Sequence, residues 1–284
     1  MVSPEIYKTI IMPGPTFLKF VNSLKQKKYR QKYRLFVIEG EKAVDELLAS
    51  RHNIHSVYAN REWFKKRGLE EGILSGAMAG SRTGELSCRL YEVSDSGLLK
   101  ISSMKTPNKV LAVAHMPESR LDPESLTNSL SLVLDNIQDP GNLGTLVRSA
   151  DWFGIENIIL SENSAEVTNP KVVQATMGSV LRVRTHYTDL PSFLGLPVIS
   201  EMPVFGAFAG ASPVYSVPLA VSGLIVLGNE SQGISGRVKR YIKQRIGIPV
   251  FPRNGKLPES LNMAVAGSLI VAEFRRRMLY PHSK

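Results

Sequence analysis

The sequence predicts an α/β protein in two parts, the second of which is built on a parallel β-sheet. From Leu130 onward, apolar runs of strand length alternate with helical segments, as in parallel sheets covered by helices. Residues 117–129 contain two prolines and few large apolar side chains, which indicates a linker. The 284 residues suffice for two hydrophobic cores. We therefore expect domains at residues 1–117 and 129–284, joined by a linker at residues 118–128.

The first part alternates strands and helices. Apolar runs predict strands at residues 35–40 and 111–116, with an amphipathic helix around Leu47. An earlier helix repeats apolar side chains at helical spacing, and we expect it to bury four of them: Phe17, Phe20, Val21 and Leu24.

The second part shows the same alternation more clearly. Five apolar runs predict strands at residues 132–134, 157–160, 180–185, 204–207 and 224–227. One helix is expected near residues 144–153. Another begins where Asn169 supplies a cap and Pro170 occupies the first helical position.

Excess positive charge is concentrated in the first part. Residues 1–117 hold 19 Lys and Arg against 11 Asp and Glu, whereas residues 118–284 hold 16 against 14. The excess peaks between Lys19 and Arg34, where tyrosines are interleaved and no acidic residue occurs. Such a run is typical either of a solvated helix face or of a surface that binds RNA phosphates and bases. We favour RNA contact by six cations: Lys25, Lys27, Lys28, Arg30, Lys32 and Arg34.

Several classes of protein are excluded by the sequence. No apolar run approaches the roughly 20 residues of a membrane span, and the start of the chain lacks the apolar core of a secretory signal. The single Cys88 rules out an intrachain disulfide, and the five histidines show no metal-binding spacing, so we expect no metal. These features favour a protein of the cytoplasm without membrane partners.

Common nucleotide and hydrolase motifs are also missing. The sequence has no G-x-G-x-x-G fingerprint for a dinucleotide. The spacing of Gly228 and Gly233 resembles the start of a P-loop, but Ile234 stands where the phosphate-binding lysine is required. Ser260 lacks the Gly-x-Ser-x-Gly surroundings of a hydrolase nucleophile.

Three junctions between a strand or loop and a helix carry polar side chains. In residues 134–154, LDNIQDPGNLGTLVRSADWFG, a buried strand ends in Asp-Asn and leads into a helix with Asn142 and Arg148. Residues 224–235, LIVLGNESQGIS, and the segment SLN at the start of the last helix repeat this arrangement. Ligand sites of α/β proteins lie at such junctions, so we expect the three to meet at one end of the sheet.

In this order, the patterns N-x-G-x-x-x-R-S-A, L-G-x-E-x-x-G and S-L-N resemble the three motifs of the SpoU (TrmH-type) RNA methyltransferases, a family of the SPOUT class. The resemblance covers all of the second part. The first part, with its basic opening and its FVIEG strand, is similar to the ribosomal-protein-like substrate-binding domain that many members carry.

The resemblance implies a fold and a cofactor that the residue pattern alone does not predict. The sheet of such proteins has a C-terminal segment threaded through a loop as a deep trefoil knot, a feature otherwise nearly absent from proteins. It implies a homodimer, no metal and S-adenosylmethionine bound in the knot. Five residues match the cofactor pocket: Leu227, Gly228, Asn229, Ile248 and Leu261.

Five further residues match the polar site of the family: Asn142, Arg148, Glu230, Ser260 and Asn262. A family proposal gives the arginine a part in deprotonating the ribose 2′-hydroxyl, but a guanidinium with a pKa above about 12 is a poor base. We favour a role for Arg148 in holding a phosphate or polarising the 2′-oxygen, with Asn142 orienting Arg148 or the ribose. Helix capping is the alternative role for Asn142 and Glu230.

Two features depart from the family pattern. The connection between Ile248 and Ser260 is longer than usual and adds Arg253 and Lys256, which would reshape the pocket rim or contact RNA. Met263 and Ala264 stand where Val and Ser are common, which we expect to alter packing only.

The resemblance thus predicts transfer of a methyl group from S-adenosylmethionine to a ribose 2′-hydroxyl of structured RNA. The extra N-terminal part favours ribosomal RNA over transfer RNA. Three alternatives stay open: a non-catalytic RNA-binding protein that keeps the methyltransferase fold, methylation of transfer RNA, and methylation of a base.

Overall fold

A computed structural model describes residues 14–68, 88–118, 120–251 and 260–280. These residues fall into two compact units. The first comprises Met1–Glu118 together with Thr168–Leu181, and the second comprises Ser119–Val167 and Arg182–Lys284.

The described residues form the following elements. The helices are α1 (Pro15–Ser23), α2 (Lys27–Tyr33), α3 (Glu41–Ala49), α4 (Arg61–Lys66), α5 (Asp95–Ile101), α6 (Pro140–Trp152), α7 (Pro170–Thr176), α8 (Leu190–Leu194), α9 (Pro197–Ser200), α10 (Gly236–Lys239) and α11 (Met263–Leu279). The strands are β1 (Leu35–Glu39), β2 (Ile54–Ala59), β3 (Arg89–Glu92), β4 (Val110–His115), β5 (Leu130–Asp135), β6 (Asn157–Ser161), β7 (Arg184–Thr188), β8 (Val204–Ala207), β9 (Gly223–Gly228) and β10 (Gln244–Ile246). Two 3₁₀ turns lie at Glu124–Leu126 and Ser179–Leu181.

The first unit is built on a mixed sheet of four strands in the order β1-β4-β2-β3. Strand β4 is antiparallel to both β1 and β2, and β2 is parallel to β3. Helices α1 and α5 cover one face, because Val21 and Leu98 share a core with Val37 and Val113 of the strands. Strands β1 and β4 are buried along nearly their whole length, which explains why their apolar runs were recognisable in the sequence.

The basic run forms two short helices rather than one. Helix α1 ends at Ser23 and α2 begins at Lys27. Val21 and Leu24 are fully buried as expected, but the prediction for Phe17 is wrong, since 41 % of it is exposed beside the ring of Tyr91. Phe20 is only half-buried. Phe17 lies in the first turn of α1, which starts at Pro15, and full burial at helical spacing begins only with Val21.

The second unit is an all-parallel sheet of six strands in the order β10-β8-β9-β5-β6-β7. Strands β5 and β9 lie in the middle and are buried along their whole length. Parallel strands covered on both faces read as continuous apolar runs, which is why the sequence located them. The predicted α/β class, with a smaller α/β unit in front, is confirmed. The trefoil knot stays a prediction.

The prediction of a strand at residues 180–185 is wrong for the first half of that segment. Met177 and Gly178 adopt left-handed backbone conformations with φ of 50° and 95°, and the chain then turns through Ser179–Leu181. Strand β7 starts only at Arg184. Val180 is buried within this turn and not within a sheet. A short apolar run in a sequence does not distinguish a buried turn from a buried strand.

The segment predicted as a linker contributes to the core of the second unit. Leu126 is fully buried there, and Leu121 packs against the same cluster.

Near the C-terminus, α11 lies against α6, where the Ser149 and Ser268 hydroxyl oxygens are 2.7 Å apart. A Cβ built on Gly267 would come within 2.8 Å of side-chain atoms of Leu146 and Leu227, so only glycine lets α11 approach this closely.

No helix in the described ranges is both long and apolar enough to cross a membrane.

Candidate active site

The polar junctions predicted from the sequence meet at the carboxyl ends of β5 and β9. These neighbouring strands end in register, with Asp135 opposite Gly228. The chain leaves β5 towards β6 and β7 on one side and later returns to β9 on the other. Ligands of open α/β sheets bind at this switch in strand order.

Three side chains from separate segments form a hydrogen-bonded chain at this edge, which we call the Asn142 chain. The Asn142 Nδ2 donates to Glu230 Oε1 at 3.0 Å, and Asn262 Nδ2 donates to Asn142 Oδ1 at 2.9 Å. The three residues are 88 and 120 positions apart in sequence. The structure therefore brings together three of the five residues expected to form the polar site.

Helix starts fix the Asn142 chain in place. Asp139 caps α6 by accepting from the Asn142 backbone N–H at 2.7 Å. The Asn262 Oδ1 caps α11 by accepting from the backbone N–H groups of Ala264 and Val265 at 3.0 and 3.1 Å. Because the Glu230 Oε1 accepts a hydrogen bond from Asn142, the Nδ2 end of the Asn142 amide faces Glu230. Capping, the alternative role for Asn142, is thus performed by Asp139.

The turn after β9 is held by Asn229 and Gly233. Their backbones exchange hydrogen bonds of 3.1 and 2.9 Å, and Gly233 has a φ of 67°. The Asn229 Nδ2 donates to the Asn136 carbonyl oxygen at 2.8 Å, and its Oδ1 accepts from the backbone N–H groups of Ser231 and Gln232. Asn229 therefore joins the turns after β5 and β9 through a side chain that is already hydrogen-bonded at both ends.

A cavity of about 490 Å³ opens beside the Asn142 chain, within the size range of ligand sites. All five residues that the resemblance assigned to the cofactor lie in its wall: Leu227, Gly228, Asn229, Ile248 and Leu261. Glu230 and Ser260 also line it. The backbone passes very close at Gly228, where a Cβ would lie 2.2 Å from backbone atoms of Gly233 and Ile234.

Several wall residues were not predicted from the sequence. Phe208 directly follows β8, and Phe251 lies at the rim with 87 % of its surface exposed. Met263, Ala266 and Ile270 line the cavity from α11. The end of the predicted strand at residues 204–207 was a usable signal for Phe208. Nothing in the local sequence distinguishes the α11 residues from ordinary core positions.

A buried carboxylate supports the same edge of the sheet and was also missed. Asp135, only 5 % exposed, accepts a hydrogen bond of 2.7 Å from the Ser235 backbone N–H. It thereby ties the end of β5 to the start of α10. An acidic residue at the carboxyl end of an apolar strand was the available signal.

Arg148 stands apart from the Asn142 chain. It is exposed on α6 and makes no hydrogen bond or ion pair with any described residue. Arg148 follows Asn142 by six positions, which places the two on different faces of the helix. The expected orienting of Arg148 by Asn142 is not present in the described residues. Ser260 lines the cavity but likewise has no hydrogen-bond partner among them.

The basic run of the first unit presents cations and aromatic rings on α2. The Lys28 and Lys32 ammonium groups lie 4.9 and 5.4 Å from the ring centroids of Tyr29 and Tyr33. These two tyrosine rings are nearly parallel, with centroids 6.3 Å apart. Lys27 is exposed and Lys25 half-buried.

Two of the predicted RNA-contacting cations are partly or wholly engaged within the protein. Arg30 is 2 % exposed, and its Nη1 donates to the carbonyl oxygens of Leu24 and Lys25 at 3.0 and 2.8 Å. Its assignment to RNA is therefore wrong, because the guanidinium is used to join α1 to α2. Arg34 stays exposed and lies 3.9 Å from the Glu118 carboxylate.

No group of three or more potential metal ligands occurs in the parts of the chain that the structure describes. A cavity at the switch point of a parallel sheet, bordered by polar helix starts, defines a ligand-binding α/β protein. The sequence matches a family model more specifically. Residues 129–272 match the SpoU rRNA Methylase family, and residues 16–112 match the MRM3-like substrate binding domain. The chain belongs to the SpoU rRNA methylase family.

Known proteins resemble the chain over nearly its whole length. It is 29 % identical over 253 residues to 23S rRNA (guanosine(2553)-2′-O)-methyltransferase RlmP of Bacillus subtilis, covering 89 % of this chain and 93 % of that protein. A putative RNA methyltransferase of the TrmH family from Porphyromonas gingivalis has 32 % identity and a TM-score of 0.79, with 94 % and 99 % of the two chains covered. The chain also shares its fold with an AdoMet-bound rRNA methyltransferase from Sinorhizobium meliloti. That structure is 23 % identical with a TM-score of 0.76, and the match covers 95 % of this chain and 98 % of that one.

Proposed function

We propose that this protein transfers a methyl group from S-adenosylmethionine to a ribose 2′-hydroxyl of structured RNA, ribosomal rather than transfer RNA, in the cytoplasm. The Asn142 chain carries the proposal, because it joins all three family motifs beside a cavity. The choice of ribosomal RNA is supported by the rRNA methylase family model that matches the second unit and by the activity named for the Bacillus subtilis relative.

The cavity suits the adenosine of S-adenosylmethionine. Its apolar wall at Leu227, Ile248 and Leu261 fits a flat purine ring. When bound, the cofactor supplies an activated methyl group on a sulfonium. The protein then needs no metal for the transfer and contributes chiefly alignment and exclusion of water.

The Asn142 chain would position the ribose. Its members are oriented by hydrogen bonds before any ligand arrives, which reduces the cost of aligning the 2′-oxygen with the methyl carbon. The Arg148 guanidinium would bind a phosphate or stabilise negative charge on the 2′-oxygen.

We further propose that the active form is a homodimer of the second unit, with Arg148 at its interface. Trp152, one helical turn from Arg148, is 84 % exposed, and Val265 and Leu269 are exposed on α11. Large apolar side chains exposed on two packed helices indicate an interface, and a second copy of the same chain is the occupant expected for the family. Arg148 could then reach a site that it does not reach within its own protomer.

The dimer is tested by Trp152→Glu combined with Leu269→Glu. Sedimentation velocity should show that this variant sediments as a monomer while the unchanged protein sediments as a dimer, and methyl transfer should be lost with the dimer. Val221→Glu is a control, since Val221 is also apolar and exposed but lies outside both helices. If the unchanged protein itself sediments as a monomer, the proposed dimer is ruled out.

The reaction is tested with radiolabelled S-adenosylmethionine and protein-free ribosomal or transfer RNA from a strain that lacks this protein. We expect label in ribosomal RNA, and 2′-O-methylated nucleosides after digestion. Label in transfer RNA alone, or on a base, would overturn the substrate or the position. Failure to bind S-adenosylmethionine at millimolar concentration would favour a non-catalytic RNA-binding protein.

A further inference from the structure

A strongly basic surface lies at one edge of the sheet of the second unit. We call it the β10-edge surface, and it comprises five exposed cations: Arg237, Lys239, Arg240, Lys243 and Arg245. No Asp or Glu occurs between Glu230 and Ile248. Strand β10, which carries Arg245, is the terminal strand of the sheet that the described residues form.

Most of these charges are not neutralised within the protein. Arg237 lies 3.5 Å from the Asp189 carboxylate, whereas the other four make no ion pair or hydrogen bond through their side chains with the described residues. Unneutralised charges close together generate a local positive potential and favour binding of a polyanion.

The opposite edge of the same sheet is built differently. Near β7, Arg184 pairs with Glu156 at 2.6 Å, and Arg182 pairs with Asp151 at 2.7 Å. Exposed arginines at the edge of a sheet can prevent another strand from pairing with that edge. The arginines near β7 are ion-paired, so this protection does not explain why the cations near β10 are left unpaired. The contrast indicates that the positive potential is specific to the β10 side.

The β10-edge surface is continuous with the cavity. Phe208 lines the cavity, and its ring centroid lies 5.0 Å from the Arg245 guanidinium carbon and 6.0 Å from the Lys239 Nζ. The chain then runs directly from β10 into Gly247, Ile248 and the rest of that wall. A polyanion on these cations would therefore lie beside the opening of the proposed methyl-transfer site.

We propose that the β10-edge surface binds the phosphate backbone of the substrate RNA next to the nucleotide that is methylated. This inference rests on the proposed function, and it assigns the second unit an RNA contact of its own, separate from α2. Phosphates attract Lys and Arg without regard to base, so this surface would contribute affinity and position but not sequence recognition.

The test compares two variants that each remove two positive charges. Lys239→Gln with Arg245→Gln alters the β10-edge surface, and Arg182→Gln with Arg184→Gln alters the paired arginines near β7. Binding of protein-free ribosomal RNA is measured against salt concentration by filter retention. The first variant should weaken binding and reduce the slope of log K against log salt by about 1.4–1.8, at roughly 0.7–0.9 per lost phosphate contact. The second should leave the slope unchanged.

The result that overturns the inference is an unchanged slope in the β10-edge variant, or an equal loss in both variants. Arg240→Gln with Lys243→Gln supplies an independent pair on the same surface and should repeat the first result. If the β10-edge variants only aggregate, as light scattering would show, while their RNA binding is unaltered, the charges protect an edge and the inference fails. Methyl transfer by the unchanged protein is assayed in parallel and judges the proposed function separately from the slope.

Discussion

The site in the second unit and the basic helix of the first use polar residues in opposite ways. In the Asn142 chain each side chain is hydrogen-bonded to another, and two of the three segments are fixed by helix caps. On α2, Lys27, Lys28 and Lys32 remain exposed to solvent. Fixed geometry is what a reaction requires, whereas exposed cations suit attraction to a polyanion at varied distances. These differences support the proposal that the Asn142 chain serves the reaction and that α2 contributes to RNA binding.

Substitution of Arg148 by Ala tests that division most strongly. Arg148 belongs to the proposed chemistry although it is exposed, so its loss should reduce single-turnover methyl transfer by about 10²-fold or more. Affinity for S-adenosylmethionine, measured by calorimetry, should hardly change, since Arg148 does not line the cavity. Arg184→Ala is the matched control and should retain activity. Full activity of the Arg148→Ala variant would show that Arg148 takes no part in methyl transfer.

Gly228→Ala tests whether the site depends on close backbone packing. The added Cβ would lie 2.2 Å from backbone atoms of Gly233 and Ile234, which cannot yield as a side-chain tip would. We expect a loss of about 1–3 kcal/mol in stability, together with weaker cofactor binding. Gly236→Ala is the control, because nothing lies within 4 Å of its Cβ position. Thermal unfolding that is equally affected in both variants would contradict this account.

Neutralising α2 tests the binding side of the comparison. The variant with Lys27, Lys28 and Lys32 all changed to Gln should bind ribosomal RNA more weakly, with a salt slope reduced by about 2.1–2.7 at 0.7–0.9 per phosphate contact. Cofactor affinity should not change. The same three-charge loss at Lys42, Lys100 and Lys105, outside α2, is the control. A weaker affinity with an unchanged slope would point to lost stacking by Tyr29 and Tyr33 instead.

The smallest expected effect concerns pH. Burial lowers the pKa of His55, with further contributions from His115 and Arg89, and burial also lowers the pKa of His52. Since the unfolded histidines keep a pKa of about 6.5, the unfolded state binds more protons, and the first unit should lose stability as the pH falls below about 7. Unfolding temperatures between pH 7 and pH 5 should fall less for His55→Gln than for the unchanged protein. Identical pH dependence in the two proteins would show that folding does not lower the pKa of His55.

Local sequence located several of the elements, including the central strands of the second unit. Apolar runs located β5, β8 and β9, and Asn169 with Pro170 marked the start of α7. Strand burial and helix capping depend on residues only a few positions apart, so their patterns are visible in the sequence. The same holds for the three motifs that indicated the family.

Tertiary structure decided which of those residues meet. Asn142, Glu230 and Asn262 come within hydrogen-bond distance only because β5 and β9 are neighbours and α11 packs on α6. The same packing leaves Arg148 on an outer face. The fold also decided that Arg30 is buried, because its exposure depends on the turn between α1 and α2. Contacts between residues far apart in the chain depend on how the elements pack, and neither periodicity nor charge along the sequence encodes that packing directly.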